Sequence, residues 1–89
     1  MKAVITGVGM DKVGIFYRVT QILAEKNVNV EDISQTILQG YFTMMMLVDL
    51  SRMTCDFSQL KDQLESLEKE IGLSVRIQRE EIFNYMQSI

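Results

Sequence analysis

Apolar and polar positions alternate at both ends of the chain and switch to a helical spacing in two long internal stretches. Residues Lys2 to Val8 are β-branched and loosely alternating, which predicts a first strand. Gly7, Gly9 and Gly14 then punctuate a loop around Met10-Asp11-Lys12. From Gly14 to about Lys26, Ile15, Val19, Ile22 and Leu23 fall at i, i+4, i+7 and i+8, one face of an amphipathic helix. Asp11 or Lys12 sits near its start, where a carboxylate suits both the cap and the helix dipole. Val28 to Leu38 predicts a second strand whose apolar parity changes from Val28 and Val30 to Ile33 and Ile37, which calls for a bulge or twist around Glu31-Asp32. Gln39-Gly40 is a short turn, so Tyr41 to Leu50 should return antiparallel as a hairpin. That third strand is apolar at Phe42, Met44, Met46, Val48 and Leu50, and again at Met45 and Leu47 on its other face. A strand apolar on both faces belongs in the middle of a sheet or at an interface.

Asp56-Phe57-Ser58-Gln59 has the form of a capping box. It opens a second helix with Phe57, Leu60, Leu64, Leu67 and Ile71 as its apolar seam and a charged opposite face, and Gly72 stands where that helix should end. Val75 and Ile77 alternate with polar neighbours as an edge strand, and Glu80 to Met86 reads as a short terminal helix. The order β-α-β-β-α-β predicts a single α+β domain over residues 1–89. Its architecture is the ferredoxin-like sandwich, a four-stranded antiparallel sheet with two helices on one face and a short C-terminal tail or helix. The first and third strands are then central. The other sheet face has no cover, and Met45 and Leu47 on it, or an exposed edge strand, would be protected most simply by a second copy.

Composition narrows the chemistry. The 89 residues are 47% apolar and 24% charged, with 9 basic and 12 acidic side chains, no His, no Pro, no Trp and one Cys. Without His there is no Ser-His-Asp or Cys-His pair and no His-ligated metal. One Cys allows neither an internal disulfide nor a thiolate zinc cage. A net charge of −3 with scattered basic residues argues against a nucleic-acid surface. No stretch approaches the ~20 apolar residues of a membrane span, and Met1-Lys2 leads straight into a strand without an apolar signal core. The expectation is a cytoplasmic protein without a cofactor or a metal. Met44-Met45-Met46 is read as core or interface packing, because consecutive strand residues point to opposite faces. Cys55 is read as an inert small residue, and Tyr41, Phe42 and Tyr85 as packing groups.

Gly9-Met10-Asp11-Lys12-Val13-Gly14-Ile15, followed by Leu23-Ala24-Glu25-Lys26-Asn27-Val28-Asn29-Val30, resembles the start of an ACT domain. The likeness continues through Asp32-Ile33-Ser34-Gln35-Thr36 and Gly40-Tyr41-Phe42-Thr43-Met44 to Val75–Asn84, and so covers essentially the whole chain. The chain looks like the family of short, stand-alone bacterial ACT proteins, with related modules in the glycine-cleavage-system transcriptional repressor and in formyltetrahydrofolate deformylases. The resemblance implies a non-enzymatic regulatory module that binds an amino acid or related metabolite, forms a homodimer and acts on a regulated protein partner. Backbone N–H groups of Val13, Gly14 and Ile15 at the helix N-terminus suit an α-carboxylate, and Asp11 an α-ammonium. In dimers of this family the ligand lies where this loop meets a neighbour's second strand, which adds Asn29, Val30 and Asp32. Two other readings compete. One is a ligand-free protein-interaction subunit. The other is an acylphosphatase-like enzyme, which shares the element order but needs an Arg in the first strand–helix loop, where this chain offers only Lys12.

Overall fold

The computed structural model describes residues 1–10, 12–71 and 74–81. The elements are β1 (Lys2–Gly9), α1 (Lys12–Glu25), β2 (Asn29–Leu38), β3 (Tyr41–Asp49), α2 (Phe57–Ile71) and β4 (Ser74–Arg79). The strands form one antiparallel sheet in the order β2-β3-β1-β4, so β3 and β1 are central, as the double-faced apolar pattern of β3 requires. This is the ferredoxin-like arrangement. Gly72 and residues 82–86 of the expected terminal helix lie outside the described residues, while Glu80 and Glu81 have helical backbone.

Pleating sends alternate side chains to opposite faces of the sheet. Ala3 and Ile5 of β1, Phe42, Met44, Met46 and Val48 of β3, and Val75 and Ile77 of β4 all point toward the helices. There they meet Ile15, Val19 and Leu23 of α1 and Leu60, Leu64 and Leu67 of α2 in one core. Burying each of these side chains larger than Ala3 contributes about 1.5–3 kcal/mol relative to leaving it in water, before chain entropy is counted. The opposite face is uncovered: Val8, Tyr41 and Met45 are exposed there, and Leu47 is half-buried. Val4 is buried even on this face, because its cross-strand neighbours Leu47 and Gln78 flank it.

The bulge in β2 falls between Val30 and Asp32. Val30 pairs with Val48 and, after the extra residue Glu31, Ile33 pairs with Met46. Val48 and Met46 share the helix-side face, so the bulge places both Val30 and Ile33 on that face although they are three positions apart. The parity change in the sequence therefore has a direct structural counterpart. The hairpin turn has positive φ at both central residues, Gln39 (53°) and Gly40 (83°), the type I′ geometry whose twist matches that of the flanking strands.

One expectation is revised. Gly7 and Gly9 do not belong to a loop: β1 continues through both, with Gly7 paired to Met44 and Gly9 to Phe42. At Gly7 a Cβ would meet Ile15 Cγ2 at 3.2 Å and Met44 Cε at 3.5 Å, so the missing side chain is what lets α1 seat on the sheet.

The capping box of α2 is formed in both directions. The Gln59 N–H donates to Asp56 Oδ1 at 2.9 Å, and the Asp56 N–H donates to Gln59 Oε1 at 3.1 Å. Asp56→Ala is expected to cost about 1 kcal/mol, read as a lower urea midpoint at unchanged slope. The charged face of α2 also tethers its neighbours. Arg18 of α1 bonds Glu70 at 2.8 Å, and Glu68 accepts the Val75 N–H at 2.8 Å on the outer edge of β4.

Candidate functional site

The residues expected to hold a ligand fall into two groups at opposite ends of the sheet. Val13, Gly14 and Ile15 form the first turn of α1, at the end where β1 finishes. Val13 is 75% exposed and Gly14 is half-buried. The Ile15 side chain is fully buried, so that residue can offer a ligand only its backbone. Asp11 lies outside the described residues. Asn29, Val30 and Asp32 occupy the start of β2, at the foot of the sheet. Asn29 is exposed, Val30 is half-buried against the core, and the Asp32 carboxylate accepts the N–H of Ile33 at 2.9 Å.

Register measures the gap. Asn29 and Lys2 both pair with Asp49, whereas Gly9 and Ile37 both pair with Phe42. Lys2 to Gly9 is seven steps along β1, roughly 23 Å at ~3.3 Å per residue. One chain does not bring the two groups together.

A concave site that the sequence did not announce lies at the foot of the sheet. It is a groove of about 500 Å³ lined by Asn27, Val28, Asn29, Asp49, Ser51 and Arg52. Its walls are the α1–β2 turn and the segment after β3. Three bonds tie that segment in place: Asn27 Nδ2 to the Arg52 carbonyl at 3.0 Å, the Thr54 N–H to the Lys26 carbonyl at 2.9 Å, and the Leu50 N–H to the Met1 carbonyl at 2.8 Å. Asn27 holds a left-handed conformation (φ 58°), which Asn tolerates better than most residues. The Ser51 hydroxyl and N–H donate to Asp49 Oδ1 at 2.6 and 2.9 Å, and they hold its carboxyl below the usual carboxylate range. Beside it, Lys2 pairs with Glu31 at 2.8 Å, which raises the Lys2 pKa. A shallow hollow of about 100 Å³ on the open sheet face, lined by Val4, Asp32, Ser34, Met45 and Leu47, is too small for more than a side chain or a few waters.

Among the described residues, no group of three His, Cys, Asp or Glu side chains is disposed to hold a metal ion. No described helix is long and apolar enough to cross a membrane. Cys55 is half-buried and packs against the core.

Fold, strand order and the glycine-bearing turn at the head of α1 together describe a small ferredoxin-like α+β module. The sequence model of the ACT domain matches residues 2–78, and the chain belongs to the ACT domain family, whose members are generally small-molecule-binding regulatory modules. A UPF0237 protein of Clostridium acetobutylicum is 52% identical over 89 residues, which is 100% of both chains. The solved ACT domain protein from Streptococcus pneumoniae superposes with a TM-score of 0.79 at 43% identity, over 93% of each chain. A formyltetrahydrofolate deformylase from Pseudomonas syringae matches 88% of this chain but 27% of its own, with a TM-score of 0.76 at 21% identity, a likeness of fold alone.

Proposed function

We propose that this chain is a non-catalytic regulatory module that binds an amino acid or a related small metabolite and works as a homodimer. The observation that carries the reading is the separation of the two groups. The head of α1 and the start of β2 lie a full strand length apart in one chain, and β2 is an edge strand. A second copy laid antiparallel along β2 sets the α1 turn of one protomer beside Asn29, Val30 and Asp32 of the other. The flank available for such pairing is apolar. Ile33 and Ile37 on β2 are 36% and 65% exposed, and Val13 and Tyr17 lie on α1 away from Arg18, which turns toward α2.

In this arrangement the first-turn backbone of α1, residues Val13 to Ile15, takes the α-carboxylate and Asp11 the α-ammonium, with the partner's strand closing the site. Gly14 leaves room for the ligand to approach the backbone. Binding would order the pair and pass that change to a regulated protein, the output of a sensor rather than of an enzyme.

Isothermal titration with amino acids tests the assignment. Gly14→Val and Asp11→Ala should each weaken binding by about tenfold or more, the worth of one or two charge-assisted hydrogen bonds. Undiminished binding in both variants, with circular dichroism confirming the fold, overturns it.

A further inference from the structure

We propose that the groove at the foot of the sheet binds a small zwitterion, an α-amino acid, within a single chain, with Arg52 receiving the carboxylate and Asp49 the ammonium. This site goes beyond the paired-copy site, with which it shares only Asn29, and it does not require a second protomer.

Unspent polar capacity is the first argument. Arg52 forms no ion pair with any described residue, whereas Arg18 and Arg76 face Glu70 and Glu68, and Arg79 lies over the Phe57 ring. Asp49 commits Oδ1 to Ser51, and Oδ2 has no hydrogen bond among the described residues. Two opposite charges thus line one groove without meeting within ion-pair distance. A ligand carrying both charges has a partner for each in the groove, with the carboxylate matching the guanidinium fork. The Asn29 amide, across the strand pair from Asp49, offers one further donor and acceptor. The other cations near Asp49 are Lys2, already bonded to Glu31, and the Met1 amine.

Rigidity is the second argument. The segment bearing Ser51 and Arg52 is tied to the α1–β2 turn by the Asn27–Arg52 and Thr54–Lys26 bonds, and Asp49 ends a central strand. The backbone that carries these groups is thus fixed, so the freedom lost on binding is confined to the side chains. The volume, about 500 Å³, falls within the range of small-molecule sites.

A thermal-shift screen of the twenty L-amino acids at about 10 mM selects the probe, since a ligand of the native state raises Tm. Titration calorimetry with the strongest hit and with its carboxamide then follows on the wild type, Arg52→Gln, Asp49→Asn and Gly14→Val. Of the hit's binding events, Arg52→Gln and Asp49→Asn should each weaken by about tenfold or more the one in the groove, which Gly14→Val leaves within about twofold while weakening a separate event at the head of α1. The carboxamide should bind the wild type more weakly than the parent acid but bind Arg52→Gln equally well. Arg52 is exposed, so its variant tests the site without risk to folding. Loss of binding in Gly14→Val with Arg52→Gln at wild-type affinity overturns this site and leaves the paired-copy site standing. The absence of any Tm shift across the panel overturns it as well.

Discussion

Leu64→Ala should lower the stability of this protein by about 2–5 kcal/mol, the cost of the lost transfer energy plus the cavity left behind. Leu64 is 1% exposed at the middle of α2, next to Val75 and Ile77 of β4. It thus joins the second helix to the last strand. A fully collapsed replacement is hard to arrange, because the sheet on one side and the capped helix on the other fix the spacing. Domains of this size hold only about 5–15 kcal/mol in total, so the loss is a large share. Each kcal/mol shifts Tm by about 4–8 °C in a small domain, so a fall of about 10 °C or more is expected by scanning calorimetry. A fall of less than about 4 °C would mean that the α2–β4 contact is not packed as described.

The second large effect is expected at Gly7. Adding a Val side chain there drives methyl groups into Ile15 and Met44, which already stand 3.2 and 3.5 Å from the position of a Cβ. Overpacking of this kind costs about 1–3 kcal/mol, and relief requires α1 to lift from β1. The helix that would move carries the first turn assigned to ligand binding, so Gly7→Val should weaken both stability and amino-acid affinity. A double-mutant cycle isolates the cause. The milder Gly7→Ala should cost less in an Ile15→Ala background, where Cγ2 is gone, than in the wild type. Equal costs in the two backgrounds would place the strain elsewhere.

Most of the fold was legible because each element announces itself locally. The four-residue box at Asp56–Gln59, the two-residue turn at Gln39-Gly40 and the parity change at Glu31 are short-range signals, and each has its structural counterpart. The role of Gly7 was not legible. A glycine leaves no mark in a hydrophobic pattern, and the side chain that requires it, Ile15, sits on another element. The groove at the foot of the sheet was hidden for a related reason. Asn27 and Asn29 come from one turn and Asp49, Ser51 and Arg52 from another, about twenty positions later, and no spacing rule links them. The expected ligand residues rest on a family pattern, and their division between the two ends of the sheet follows only from strand register. The exposure of Ile37 has the same origin: its spacing marks it for the helix-side face, and its place on an edge strand leaves it 65% exposed.

Strand order has a consequence for how the chain is made. β1 is made before the other strands, yet it is flanked by β3 and β4, the latter ending at Arg79. The β2–β3 hairpin closes through a two-residue turn and can form as soon as both strands are out. The central strand must wait until β2, β3 and α2 have all been made before its second neighbour arrives. Until then Ile5 and the β4-facing edge of β1 lack their cover, and nascent chains are most open to capture by chaperones or proteases.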